Sequence, residues 1–198
     1  MVNTRVITLE AALPWWHWCA HESCDRLRAA LGAGGDLSTY HAGAVGRGFY
    51  AALSAVDSMD RGPAVVHGTV QAGTRIYLVW PHVHGVGIEE LFAPALARLG
   101  LRVQPDAAPP TAGPISIANP AAGPAIEAAM DAAGAAAALY GLGMGVSLLV
   151  RRSGCLELAN PQAAIESVWA YHEAHPRERP MLEPHAVQAW LAANPRRA

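Results

Sequence analysis

The sequence predicts a single α+β domain, and three observations lead to that class. The chain has 198 residues, 52% of them apolar and 15% charged, which is long and apolar enough to bury one sizeable core. Short runs rich in Val, Ile, Thr and Tyr come in pairs around glycine turns, as at residues 63–70 and 74–80 about Gln71-Ala72-Gly73. Segments with apolar residues three and four apart separate those pairs, without the regular strand–helix alternation of a parallel α/β fold.

Each element follows in order. Residues 2–9 alternate enough for a first strand, with Val6 and Thr8 set against Ile7 and Leu9. Residues 13–31 show Trp15, Trp18, Leu27 and Leu31 at loose helical spacing, and Gly32 to Gly35 stop the run, so a helix is expected there. Residues 36–42 suit a short strand, 43–48 a glycine-rich turn, and 49–53 a second strand. Ser54 and Asp57 are placed as N-cap and third position of a short helix over 54–59. Residues 86–99 predict a helix, 104–113 a Pro-rich loop, and 115–118 a brief strand. An Ala-rich helix over 124–138 turns Ile126 and Met130 inward, and residues 146–150 and 155–159 suit a hairpin. Helices over 161–174 and 184–193 complete the chain, with no internal repeat.

Charge excludes several function classes. All fourteen basic residues are Arg against sixteen acidic ones, and no run of like charge exceeds two residues. A nucleic-acid interface needs clustered cations, so none is expected. The absence of Lys excludes Schiff-base aldolases, pyridoxal phosphate enzymes and phosphate loops that rely on a lysine. Three cysteines, Cys19, Cys24 and Cys155, do not read as a disulfide framework and favour a reducing compartment. The N-terminus has no leader pattern, so a cytoplasmic protein is expected. Residues 132–150 lack charge, but their Ala and Gly content predicts a buried helix and a core strand, not a membrane span.

The densest chemistry lies at residues 40–58, YHAGAVGRGFYAALSAVDS. An imidazole at a strand end, a flexible turn and an aromatic on the next strand place His41 and Tyr50 near each other, with backbone amides between them. A ring able to donate a hydrogen bond beside a ring able to stack suits a flat heterocycle. The plainer alternative is a surface His and a core Tyr on a strand–turn–strand.

The runs Tyr40-His41-Ala42-Gly43, Gly46-Arg47-Gly48-Phe49-Tyr50-Ala51, Leu53-Ser54 and Asp57-Ser58 resemble the ADP-ribosyltransferase superfamily, in its diphtheria-toxin-like and poly(ADP-ribose) polymerase branch. The strands at residues 62–66 and 70–76, and Cys155 to Pro161 with Ile165-Glu166-Ser167-Val168, are similar to later parts of that family. The resemblance implies a small split antiparallel sheet core with flanking helices. It implies NAD as substrate, with ADP-ribose transferred to a macromolecular acceptor such as a protein, or NAD hydrolysed. His41 would bond the nicotinamide ribose and Tyr50 would stack on the nicotinamide. Gly43, Arg47 and Gly48 would line the backbone approach, with Ser54 and Ser58 beside them. A carboxylate stabilises the oxocarbenium-like state in such enzymes. Its position falls nearest Cys155 and Glu157, two apart and so expected on one strand face; Glu157 is the candidate, with Glu89 and Glu90 as alternatives.

Two other constellations stand beside it. His82-Val83-His84, with Gly34-Gly35-Asp36-Leu37-Ser38 upstream, is similar to class II sugar-phosphate aldolases, and His82 and His84 would hold the metal. The third histidine of that family is missing, since Tyr140-Gly141-Leu142-Gly143 stands in its place. His17, Cys19, His21 and Cys24 in WWHWCAHESC also have helical metal-ligand spacing, although an amphipathic helix with buried Cys explains them equally. A non-catalytic interaction module on the same fold is the third class, with Trp15, Trp16 and Trp18 either its contact surface or core anchors.

Overall fold

In the computed structural model the description covers residues 2–43, 45–81, 97, 122–142, 145–176 and 184–197. Among the described residues ten strands run in chain order: β1 Val2–Thr8, β2 Leu13–Cys19, β3 Ala42–Gly43, β4 Gly46–Arg47, β5 Phe49–Ala52, β6 Ala64–Val70, β7 Arg75–Pro81, β8 Ala137–Leu142, β9 Gly145–Val150 and β10 Leu156–Leu158. The α-helices given by the described residues are α1 His21–Gly32, α2 Ala122–Ala132, α3 Pro161–Ala174 and α4 Pro184–Ala193. The class is α+β. Among the described residues no helix is long and apolar enough to cross a membrane.

The described chain divides into two units. The first draws on Met1–Leu13, Asp36–Tyr50 and Val70–Cys155. Its strands run β1-β7-β8-β9, followed by the start of β5 at Phe49 and Tyr50. β1 and β7 are antiparallel, from Val2 opposite Pro81 to Thr8 opposite Arg75. β7 and β8 are parallel, so the sheet is mixed where the sequence implied an antiparallel one. Parallel neighbours need a long crossover, and the chain between these two strands contains α2. β8 and β9 are antiparallel from Ala137 opposite Val150 to Leu142 opposite Gly145. The uncharged stretch near 132–150 is therefore mostly two paired strands, and β9 takes β8 as its hairpin partner in place of the expected segment 155–159. α2 ends at Ala132, where Gly134 adopts a left-handed φ of 63° and Ala135 N–H bonds the Met130 carbonyl at 2.9 Å. Ile126 and Met130 are buried with Val45, Tyr77, Val79, Ala138, Tyr140 and Leu149.

The second unit draws on Pro14–Gly35, Ala51–Thr69 and Leu156–Ala198. The end of β5 at Ala52 lies opposite Trp16 of β2, and β6 and β10 follow in order. Residues 13–19 form a strand where helical spacing was expected. Trp16 and Trp18, two apart, enter the same core cluster, which a strand permits and a helix does not. Aromatic residues also favour the pleated backbone. The helix begins only at His21, burying Cys24, Leu27 and Leu31. Trp15, Trp16 and Trp18 are 0%, 4% and 2% exposed, so they are core anchors and do not form a contact surface. The core of this unit gathers Trp16, Trp18, Val56, Met59, Val65, Val168, Val187, Trp190 and Leu191. Trp18 Nε1 donates to the Ala55 carbonyl at 3.1 Å, and Trp190 Nε1 to that of Pro63 at 3.0 Å. The expected helix over 54–59 is a turn. Ser54 Oγ accepts from Val56 N–H at 3.4 Å, Ser58 has a left-handed φ of 64°, and a single 3₁₀ turn spans Met59–Arg61. Helices α3 and α4 have the bounds their spacing predicted, α3 capped by Asn160 Oδ1 on Ala163 N–H at 2.8 Å.

Candidate functional site

The first unit assembles a cluster of chemistry around a short hairpin. β3 and β4 are two residues each, with Ala42 opposite Arg47 and Gly43 opposite Gly46. Gly48 N–H donates to the His41 carbonyl at 2.9 Å, which closes the hairpin at its base. The residue just before β3 and the start of β5 thus come together. His41 and Tyr50 meet edge to face, ring centroids 5.6 Å apart at 89°. Residues 36–42, expected as a strand, contribute only an isolated bridge from Asp36 to Arg152 and a turn before β3.

Tyr50 also meets Tyr140 of β8, at 5.7 Å and 81°. Burial, then the neighbouring Tyr140, raises the Tyr50 phenol above its ordinary range. It stays neutral and donates its O–H to the Gly46 carbonyl. Tyr140 is likewise raised by burial, opposed by a side-chain hydrogen bond with Ser147. His41 is exposed and Tyr50 is half-buried, so one side of the pair remains open to solvent.

The glycines of the hairpin let the backbone approach the protein's own groups. A Cβ on Gly43 would fall on the outer end of the Tyr50 ring. Gly46, at φ 128°, sits against α2, where a Cβ would meet Glu127 Cγ at 3.0 Å. A Cβ on Gly48 would meet the Val150 carbonyl of β9 at 2.6 Å. Arg47, exposed, gives its backbone N–H to Glu127 Oε1 at 2.6 Å. Glu127 is also 3.9 Å from Arg151 Nη2, and Arg151 Nη1 donates to the Glu127 carbonyl at 3.0 Å and to Asp131 Oδ1 at 2.9 Å.

Glu127 is the carboxylate that the sequence reading missed. Its signal was present in the pair Glu127 and Asp131, four apart on one face of an otherwise apolar helix. What could not be read was that this face receives the hairpin of residues 42–47.

The remaining predicted residues are not part of this hairpin. Ser54 and Ser58 belong to the second unit, at the two ends of the turn described above. Glu157, also of the second unit, is exposed on β10. Cys155 is buried at the end of a 3₁₀ turn, so the two do not share a strand face as their spacing suggested. Burial raises the Cys155 thiol to about 11. His82, His84, Glu89 and Glu90 lie outside the described residues, as do, apart from Ala97, the helix, loop and strand expected over 86–118. Of the WWHWCAHESC ligands, Cys19 and Cys24 come together, while His17 is on β2 and His21 opens α1. Among the described residues no three His, Cys, Asp or Glu side chains gather as a metal site. No family model and no curated protein matches the sequence.

Proposed function

We propose that the chain is an ADP-ribosyltransferase-like protein that takes NAD at the hairpin of residues 42–47, transferring ADP-ribose to a macromolecular acceptor or hydrolysing NAD. The single observation that supports this reading is the meeting of His41 and Tyr50, two residues the family resemblance had assigned to the nicotinamide end. The exposed imidazole offers a hydrogen-bonding group beside a neutral, half-buried phenol ring, a combination suited to a flat heterocycle on a ribose. Within the first unit, Glu127 accepts the Arg47 backbone N–H at 2.6 Å and so sets a carboxylate against the hairpin.

Titration calorimetry with NAD, followed by assay of free nicotinamide, tests the proposal. Binding is expected to be lost in His41→Ala, an exposed position whose change should leave the fold intact, and weakened in Tyr50→Leu. Tyr50→Phe should retain binding, because the ring remains. Unchanged NAD affinity in both His41→Ala and Tyr50→Leu would sink the reading.

A further inference from the structure

The segment WWHWCAHESC carries chemistry that the proposed NAD site does not use. β2 ends at Cys19, and α1 begins at His21. The Ala20 carbonyl accepts N–H bonds from Ser23 and Cys24, both at 3.0 Å, so the first helical turn winds Cys24 back over the strand end. The two Sγ atoms lie 2.6 Å apart, and both residues are buried, 8% and 5% exposed. Gly62 closes the junction from another side, since a Cβ there would overlap the Cys19 carbonyl. Cys155, in the first unit, instead directs its Sγ–H to the Arg152 carbonyl at 3.2 Å.

We infer that Cys19 and Cys24 form an intramolecular disulfide linking the end of β2 to the first turn of α1. A disulfide needs its sulfurs roughly 2.05 Å apart, so the two Sγ atoms have only about half an ångström to close. The oxidant is a low-molecular-weight disulfide of the oxidised glutathione class. One protein thiolate attacks it and releases one small thiol. The second protein thiol then displaces the other small thiol from the mixed disulfide. In net, the two protein thiols lose two electrons and two protons, and the oxidant gains both as two thiols.

The burial that positions the pair also sets when the bond forms. Burial, and then the neighbouring Cys24, pushes the Cys19 thiol up to about 12. In the folded chain Cys19 is therefore a poor attacking thiol. Because both cysteines are buried, a small disulfide reaches them while the chain is still open, and the folded core closes over the bond.

The experiment refolds the reduced full chain in a mixture of oxidised and reduced glutathione. The product is denatured in excess maleimide, digested with trypsin and weighed. Cleavage after Arg5 and Arg26 leaves Cys19 and Cys24 on one peptide, and Cys155 falls on another that starts at Ser153. The expected result is a first peptide lighter by two hydrogens and free of maleimide, with Cys155 alkylated. Two maleimides or glutathione adducts on that first peptide overturn the inference, as does a cross-link of either cysteine to Cys155. Thermal unfolding gives a second readout. The oxidised chain should melt about 5 °C above the same chain after reduction, as expected for a short closed loop. The difference should vanish in Cys19→Ser and persist in Cys155→Ser. Equal midpoints for oxidised and reduced wild type also overturn it.

Discussion

Replacing Gly43 by Ala isolates the contact on which the His41–Tyr50 pairing depends. The φ of Gly43 lies outside the left-handed region, so alanine meets no backbone penalty there. Its methyl would occupy the place of the Tyr50 ring tip. The ring has little room to yield, since Tyr140 and His41 meet it edge to face and its O–H is bonded to the Gly46 carbonyl. Overpacking of this kind costs about 1–3 kcal/mol. Losing the phenol–carbonyl bond adds about 1 kcal/mol. The expected total is about 2–4 kcal/mol, a fall of about 5–15 °C in the thermal midpoint for a chain of this size. Urea unfolding of the single variants Gly43→Ala and Tyr50→Leu and of the double variant measures it. Once the ring is gone the methyl has nothing to strike, so the double variant should be more stable than the sum of the single losses by about 1–2 kcal/mol. A Gly43→Ala variant within about 0.5 kcal/mol of wild type, or a strictly additive cycle, would show that the ring does not lie over Gly43.

Three further outcomes are expected in the second unit. Arg28 donates to the Ala159 carbonyl at 3.1 Å and to the Val65 carbonyl at 3.0 Å, so Arg28→Leu should cost about 2 kcal/mol by urea unfolding; a neutral result contradicts the bridge. Asn160→Ala should cost about 1 kcal/mol by removing the α3 cap, and Asn160→Asp should recover most of it. His67 is stacked on Trp16 at 4.8 Å, and its Nδ1 lies 2.8 Å from the Trp15 carbonyl; burial holds its pKa below 6.5 against the opposing pull of that carbonyl. The unfolded chain takes up that proton more readily, so the contribution is full above about pH 6.5 and declines as pH falls toward the folded value. Stability measured from pH 7.5 to 5 should therefore fall less steeply in His67→Gln than in wild type; identical slopes refute the assignment.

Much of the candidate site could be read from local sequence, because a glycine hairpin is short-range. His41 and Tyr50 flank the glycines of residues 43–48, and strands of two residues suffice to bring their rings together. The role of those glycines could not be read. Their missing side chains make room for Tyr50, Glu127 and Val150, partners up to a hundred residues away in the chain. Glu127 was passed over for the same reason, since nothing near it in sequence shows that α2 carries the hairpin.

The α+β class, the strands at 64–70 and 75–81, and helices α3 and α4 follow from the sequence itself. Their patterns of Val, Ile and Tyr, or of a capped apolar face, state a local backbone preference that no distant contact opposes. Tertiary structure decided the rest. It turned residues 13–19 into a strand, since Trp16 and Trp18 bury together only at a two-residue period. It made β8, not residues 155–159, the partner of β9, and set β8 parallel to β7. Strand pairing is a contact between distant segments, and the residues of one strand do not encode which edge it will meet.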